Sequence, residues 1–230
     1  MDKYVKIWDV PKGQRWAHYW NYYKVHTIVG GFILILTISL IRDVFFQEKP
    51  DLVVTVASTK YFTTECDEEL SRVLTSYARD YNGNNHKYID KYQVTMSTEA
   101  NADMQMVMAS QTKLIAQFQN TDAAIFLLDQ DIYDYLRSDE EEDLYADMAV
   151  LVGDEAAPFV SEDGKRIYLK ELPAFQDNAE IQALPDLFFV IRSESNVNRK
   201  NKPEVSLTYQ NSVDFLRNLV RNDAEIENES

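Results

Sequence analysis

The sequence predicts an α/β protein: a single N-terminal transmembrane helix, then an open, mostly parallel sheet flanked by helices, with a small β-hairpin insertion. Three observations predict it. Residues 25–41 hold no Asp, Glu, Lys or Arg. Three short runs, at 52–58, 123–129 and 187–193, are almost continuously apolar, as strands covered on both faces are. Longer segments with apolar residues at helical spacing lie between them, and strand–helix alternation over short connections builds parallel sheets with helices on both sides.

The first element is the apolar stretch VHTIVGGFILILTISLI, 17 residues long, about 25 Å as a helix. Extended to 22–46 it reaches about 37 Å, enough for a hydrocarbon core of about 30 Å, with Lys24 and Arg42 snorkelling outward. Trp16, Tyr19, Trp20, Tyr22 and Tyr23 before it, and Phe45 and Phe46 after it, match the aromatic belts of the two interfaces. No small-residue cleavage site follows the run, so it reads as a signal anchor rather than a removed leader. Cys66 stands too far along the chain to take a lipid. Residues 1–24 carry five basic and two acidic side chains, and the positive-inside rule puts them in the cytoplasm. The expected organisation is a cytoplasmic basic and aromatic segment at 1–24, the anchor helix at 25–46, an extracytoplasmic α/β domain at 51–222 and an acidic tail at 223–230. That places the chain as a single-pass protein of a bacterial cell membrane, its C-terminal domain extracellular.

LVVTVAS at 52–58 is β-branched and is expected to be the first central strand. In DEELSRVLTSYARDY, Leu70, Val73, Leu74, Tyr77, Ala78 and Tyr81 follow helical spacing, acids fill the first turn, and Asn82-Gly83 ends the helix. Residues 88–97 alternate Tyr88, Asp90, Tyr92, Val94 and Met96 on one face and read as a strand. Met104, Val107, Met108, Gln111, Leu114, Ile115 and Phe118 form one stripe of a helix over 101–119, its methionines expected as core packing. AAIFLLD at 123–129 is a second buried strand, followed by a short helix through IYDYL. The acidic run 139–143 reads as a solvated turn or helix start, since it has no calcium-loop spacing. Residues 162–165, EDGK, are expected to turn a hairpin between PFVS and RIYLKEL. LFFVIRS at 187–193 is another buried strand, and 207–220 carries Tyr209, Val213, Leu216, Leu219 and Val220 as the closing helix.

LVVTVAS, the helix and strand after it, and NADMQMVMASQTKLIAQFQNTDAAIFLLDQDIYDYL together resemble the first lobe of extracellular solute-binding proteins of the type 2 periplasmic-binding fold. LFFVIRSESNV followed by SVDFLRNLV resembles the return of the chain to that lobe. The resemblance covers 52–136 and 187–220. Only 57 residues, 130–186, separate the two stretches, where that family builds most of a second lobe. The resemblance therefore implies a truncated, single-lobe, membrane-anchored form.

Composition narrows the function. The chain has 23 Lys and Arg against 38 Asp and Glu, a net charge of −15, which repels nucleic-acid phosphates. From residue 47 onward the balance is 17 basic to 35 acidic. One cysteine makes no internal disulfide, and with three histidines it builds no Cys/His zinc site. No cofactor is expected. Cys66 with His86 is the one dyad available outside the anchor segment, and no nucleophile-elbow, zincin or Walker sequence accompanies it. No catalytic residue is assigned, and the protein is expected not to be an enzyme. In open α/β sheets ligands sit at the carboxyl ends of central strands, which makes Ser58, Thr59, Lys60 and Tyr61, then Ser97, Thr98 and Glu99, then Asp129, Gln130 and Asp131, the candidate ligand contacts. The competing reading gives Ser58 and Thr59 turn hydrogen bonds and makes Asp131 the cap of the next helix. The expected partners are the membrane and a small solute or peptide. The alternative is a membrane-protein partner, for which the chain would serve as a docking module.

Overall fold

The computed structural model describes residues 11–45, 49–97, 102–137, 144–197 and 199–224. They divide into two compact units, Met1–Glu48 and Lys49–Ser230. Thr98, Glu99, the acidic run 139–143 and the tail beyond Ala224 lie outside the described residues.

Among its described residues the first unit holds one α-helix, α1 (Arg15–Phe45), after a 3-10 turn at Lys12–Gln14. Its stretch Tyr23–Arg42 is long and apolar enough to cross a membrane. That property suits a membrane anchor or a signal sequence alike. The Thr27 hydroxyl donates to the Tyr23 carbonyl at 3.0 Å and the Thr37 hydroxyl to the Ile33 carbonyl at 2.8 Å. Both polar groups are thus satisfied within the helix, as an apolar solvent requires.

The second unit runs β1 (Leu52–Ser58), α2 (Thr64–Tyr77), β2 (Ile89–Thr95), α3 (Met104–Gln119), β3 (Ile125–Leu128), α4 (Gln130–Arg137) and α5 (Met148–Val152). It continues with β4 (Ile167–Tyr168), α6 (Pro173–Gln176), α7 (Ala179–Gln182), β5 (Phe188–Ile191), α8 (Glu194–Val197) and α9 (Pro203–Arg221). The strands form one sheet in the order β2-β1-β3-β5-β4. β1 pairs in parallel with β2 and β3, whereas β5 is antiparallel to both β3 and β4. The sheet is therefore mixed, where the sequence predicts a mostly parallel one. The reason is that continuous apolar character reports burial on both faces and carries no information on direction. β5 lies between β3 and β4 and is fully buried, so it reads like a parallel strand.

The period-2 alternation of the strands divides the core. Leu52, Val54 and Val56 of β1, with Ile125, Leu127, Phe189 and Ile191, face Leu70 and Leu74 of α2 and Phe215, Leu216 and Leu219 of α9. Ala57, Phe126, Leu128, Phe188 and Val190 face Leu114 of α3 and Ile132 and Tyr133 of α4. The result is three layers, helix–sheet–helix. The helix ends are capped by sequence-local chemistry. The Thr63 hydroxyl accepts from the Cys66 amide, the Asp103 carboxylate accepts from the Gln105 amide, and Asn222 closes α9 in the left-handed conformation at φ 56°.

Two expectations are corrected here. The methionines of α3 are not core packing. Met104 is 70%, Met106 62% and Met108 60% exposed, and Leu114 is the buried residue of the helix. α3 lies over the edge strand β2, with the Lys113 ammonium 2.9 Å from the Gln93 carbonyl and 4.5 Å from the Tyr92 ring centroid. An edge strand offers too little sheet to cover a whole helical stripe. The hairpin is reduced to its turn: Ser161 N–H donates to the Arg166 carbonyl at 2.9 Å, Gly164 has φ 71°, and Val160 meets Ile167 in a single bridge. Pro158 holds its flank in a 3-10 helix at Asp154–Phe159, and Pro173 starts α6, so no long second arm forms.

Candidate functional site

The order β2-β1-β3 reverses the chain's direction of winding at β1, so the crevice between the carboxyl ends of β1 and β3 is the expected ligand position. The structure brings Ser58, Thr59 and Asp129 together there and ties them to one another. One Asp129 oxygen accepts from the Thr59 amide at 2.6 Å, the Thr59 hydroxyl at 2.8 Å and the Ser58 hydroxyl at 3.0 Å. The other accepts from the Ile132 amide at 3.0 Å, capping α4. The cap is thus Asp129, not Asp131, which stands in the first turn of α4. The Lys60 amide donates to the Ser58 hydroxyl at 3.0 Å. Lys60 and Tyr61 are exposed, Tyr61 by 73%. Gln130 is bound to its own surroundings, its amide nitrogen to Asp134 at 2.9 Å and its carbonyl to Arg166 at 2.8 Å. Of the remaining candidates, Ser97 is half-buried, while Thr98 and Glu99 lie outside the described residues.

A second concavity stands apart from these residues. It is a cleft of about 820 Å³ between the C-terminal half of α3, the end of α4, and the segment from Arg192 to the start of α9, a volume within the range of small-molecule sites. Its lining includes the apolar and aromatic side chains Ile115, Phe118, Tyr135 and Leu136 and the basic side chains Arg192, Arg199, Lys200 and Lys202. Arg192 is 4% exposed and rigidly held. Its guanidinium donates to the Asn120 carbonyl at 3.1 Å and to the Asn196 side chain at 2.6 and 3.2 Å, and it lies 4.6 Å from the centre of the Phe118 ring. A buried charge is tolerable on those terms because each direction of the fork is met. Tyr145 packs edge-on against Phe118 and face-on against Tyr133. Burial pushes the Tyr145 and Tyr133 phenols up from their usual range, so both stay neutral.

The sequence reading did not select this cleft. Its parts come from three stretches separated by tens of residues, and the one local signal is the basic segment 192–202 in an acidic chain. Cys66 lies in the apolar core at the first turn of α2, and His86 is exposed in the loop before β2. Among the described residues no three His, Cys, Asp or Glu side chains gather as metal ligands would. Comparison with family models, with curated proteins and with solved structures finds no match to this chain.

Proposed function

We propose that this chain is a membrane-anchored, non-catalytic capture module of a bacterial cell surface. Its single lobe derives from the type 2 periplasmic-binding fold and takes a small solute or peptide outside the cell. One observation carries the reading: the cleft lined by Phe118, Tyr135 and Arg192 is large enough for a small molecule and sets apolar and aromatic side chains beside the exposed basic segment 199–202. The length and apolar character of Tyr23–Arg42, with the net positive charge of 1–24, support an N-terminus inside and an α/β unit outside.

The test is thermal unfolding of the full chain in lipid nanodiscs against pools of small solutes. A ligand at about 100 times its Kd stabilises by about 2.7 kcal/mol, which raises Tm by about 5–10 °C for a unit of this size. A reproducible rise for one solute class supports capture, and uniform silence overturns it.

A second reading, docking to a membrane-protein partner, is favoured by the exposed methionines of α3. Met104 and Met108 lie one turn apart on an adaptable apolar surface of the kind that partner helices occupy.

A further inference from the structure

We infer that the outer edge of β2 captures an extended peptide by strand addition, with one carboxylate of that peptide turned to Lys113. The inference goes beyond the cleft, whose α3 lining is Ile115, Phe118 and Gln119. It begins with the backbone. β2 ends the sheet and pairs with β1 alone. The Tyr88 carbonyl accepts from the Asp51 amide at 2.8 Å, and the Met96 amide donates to the Ser58 carbonyl at 3.0 Å. Even-numbered residues therefore turn their backbone groups toward β1. Those of Ile89, Lys91, Gln93 and Thr95 point outward, because peptide groups alternate along a strand. Among the described residues no acceptor meets these four amides, and of the four carbonyls only that of Gln93 is met, by the Lys113 ammonium at 2.9 Å. Donors at a two-residue repeat are a template for one more strand. The other edge, β4, spans only Ile167–Tyr168 and already bridges Val160.

The helices beside the edge decide what fits. α3 lies over β2 on one face, and α2 is tied to it on the other, where the Lys91 ammonium donates to the Asp67 carbonyl at 2.7 Å. A second copy joined edge to edge would set two α3 helices over strands about 4.8 Å apart, whereas each helix is about 10 Å across. The edge admits a strand that carries no helix of its own, which is a peptide in extended form. Charge narrows its chemistry. α3 has one charged side chain, Lys113, which is exposed and holds its ammonium 4.5 Å from the Tyr92 ring centroid. In an antiparallel pairing the peptide residue opposite Tyr92 shares that face of the sheet and comes within reach of the ammonium. A carboxylate there gains a partner, and a cation meets a like charge. The peptide carries no further acid, since the 35 acidic against 17 basic residues from position 47 onward repel a polyanion.

The experiment is fluorescence anisotropy of a labelled, capped peptide titrated with the full chain in nanodiscs of neutral lipid, with empty nanodiscs as the control. The peptide is as long as β2, seven residues, and reads Thr-Val-Thr-Glu-Thr-Val-Thr. With its Glu opposite Tyr92, the Thr amides face β2 and the Val amides face solvent. N-methylation of the two central Thr residues should weaken binding at least ~10-fold, and N-methylation of the two Val residues should leave it within ~2-fold. Replacing the Glu by Lys should weaken binding at least ~10-fold. Lys113→Glu, exposed and outside the core, should reverse the order of the Glu and Lys peptides. Absence of binding, or equal sensitivity to methylation at Thr and at Val, overturns strand addition. A ranking of the two peptides unmoved by Lys113→Glu overturns the placement beside α3. Dimers of a Lys113→Ala chain in mass photometry, with no peptide bound, would make Lys113 a guard against self-pairing and overturn the inference. Each of these failures leaves the capture reading at the Phe118 cleft intact, because the solute screen reads a different site.

Discussion

The Thr59 amide lies 2.6 Å from a carboxylate oxygen of Asp129, 70 positions further along the chain, and this contact ties the carboxyl ends of β1 and β3 together. The same oxygen takes the hydroxyls of Ser58 and Thr59, and its partner oxygen caps α4. Asp129→Asn turns an acceptor into an amide that cannot serve all four donors. It should cost about 2–3 kcal/mol, measured by chemical denaturation of the full chain in nanodiscs. Ligand affinity at the Phe118 cleft should be unaffected. Unchanged stability would show that the carboxylate does not hold the two strand ends.

Asp51 plays the same part at the other end of β1. It is 6% exposed and accepts from the Tyr81 and Asn82 amides at 2.8 and 3.0 Å on one oxygen and from the Tyr88 amide at 2.9 Å on the other. Asp51→Ala should release the loop between α2 and β2. Hydrogen exchange at those three amides should quicken by at least ~10-fold and stability should drop by about 2 kcal/mol. Unaltered protection at 81, 82 and 88 would contradict the assignment.

Tyr209 on α9 is 5% exposed, and burial pushes its phenol up to about 12. An unfolded tyrosine ionises near ~10. With the folded value raised, the neutral phenol's contribution is full below pH ~10 and is lost as pH rises toward about 12. Tyr209→Phe should flatten the fall of unfolding free energy across that window, measured by denaturation at stepped alkaline pH. An unchanged slope would mean that Tyr209 is not buried in the folded state.

The two sides of α3 should separate cleanly. Leu114 is fully buried, and Leu114→Ala should cost about 2–5 kcal/mol. Met104→Ser/Met108→Ser alters residues 70% and 60% exposed and should stay within about 0.5 kcal/mol per site. Thermal unfolding checks both. Under the docking reading, a photocrosslinker at Met108 forms a discrete heteromeric adduct in cells, while one at Tyr61 does not.

Much of this architecture is readable from residue pattern. The β-branched run 52–58, the 3.6-residue stripe of Leu70, Val73, Leu74 and Tyr77, and the apolar AAIFLL each match one element, because period and burial act locally on each segment. Strand direction is not local: Phe188–Ile191 is buried on both faces whichever way it runs. The α3 stripe failed for a related reason, since periodicity shows which face is apolar and not whether a neighbour exists to cover it. The strand-end residues Ser58, Thr59 and Asp129 follow from the general rule for open sheets, and the structure joins them. Their mutual bonding depends on distances that sequence does not contain. The cleft was hidden because Phe118, Tyr135 and Arg192 meet only after three separate segments have folded.

The membrane-anchored, outward-facing arrangement is tested most directly by labelling with a membrane-impermeant maleimide in a Cys66→Ala background. Tyr61→Cys, at a position 73% exposed in the α/β unit, should react in intact cells. Lys12→Cys, just before α1, should react only after permeabilisation. Labelling of Lys12→Cys in intact cells with protection of Tyr61→Cys would contradict the arrangement, as would recovery of the α/β unit in the soluble fraction free of α1.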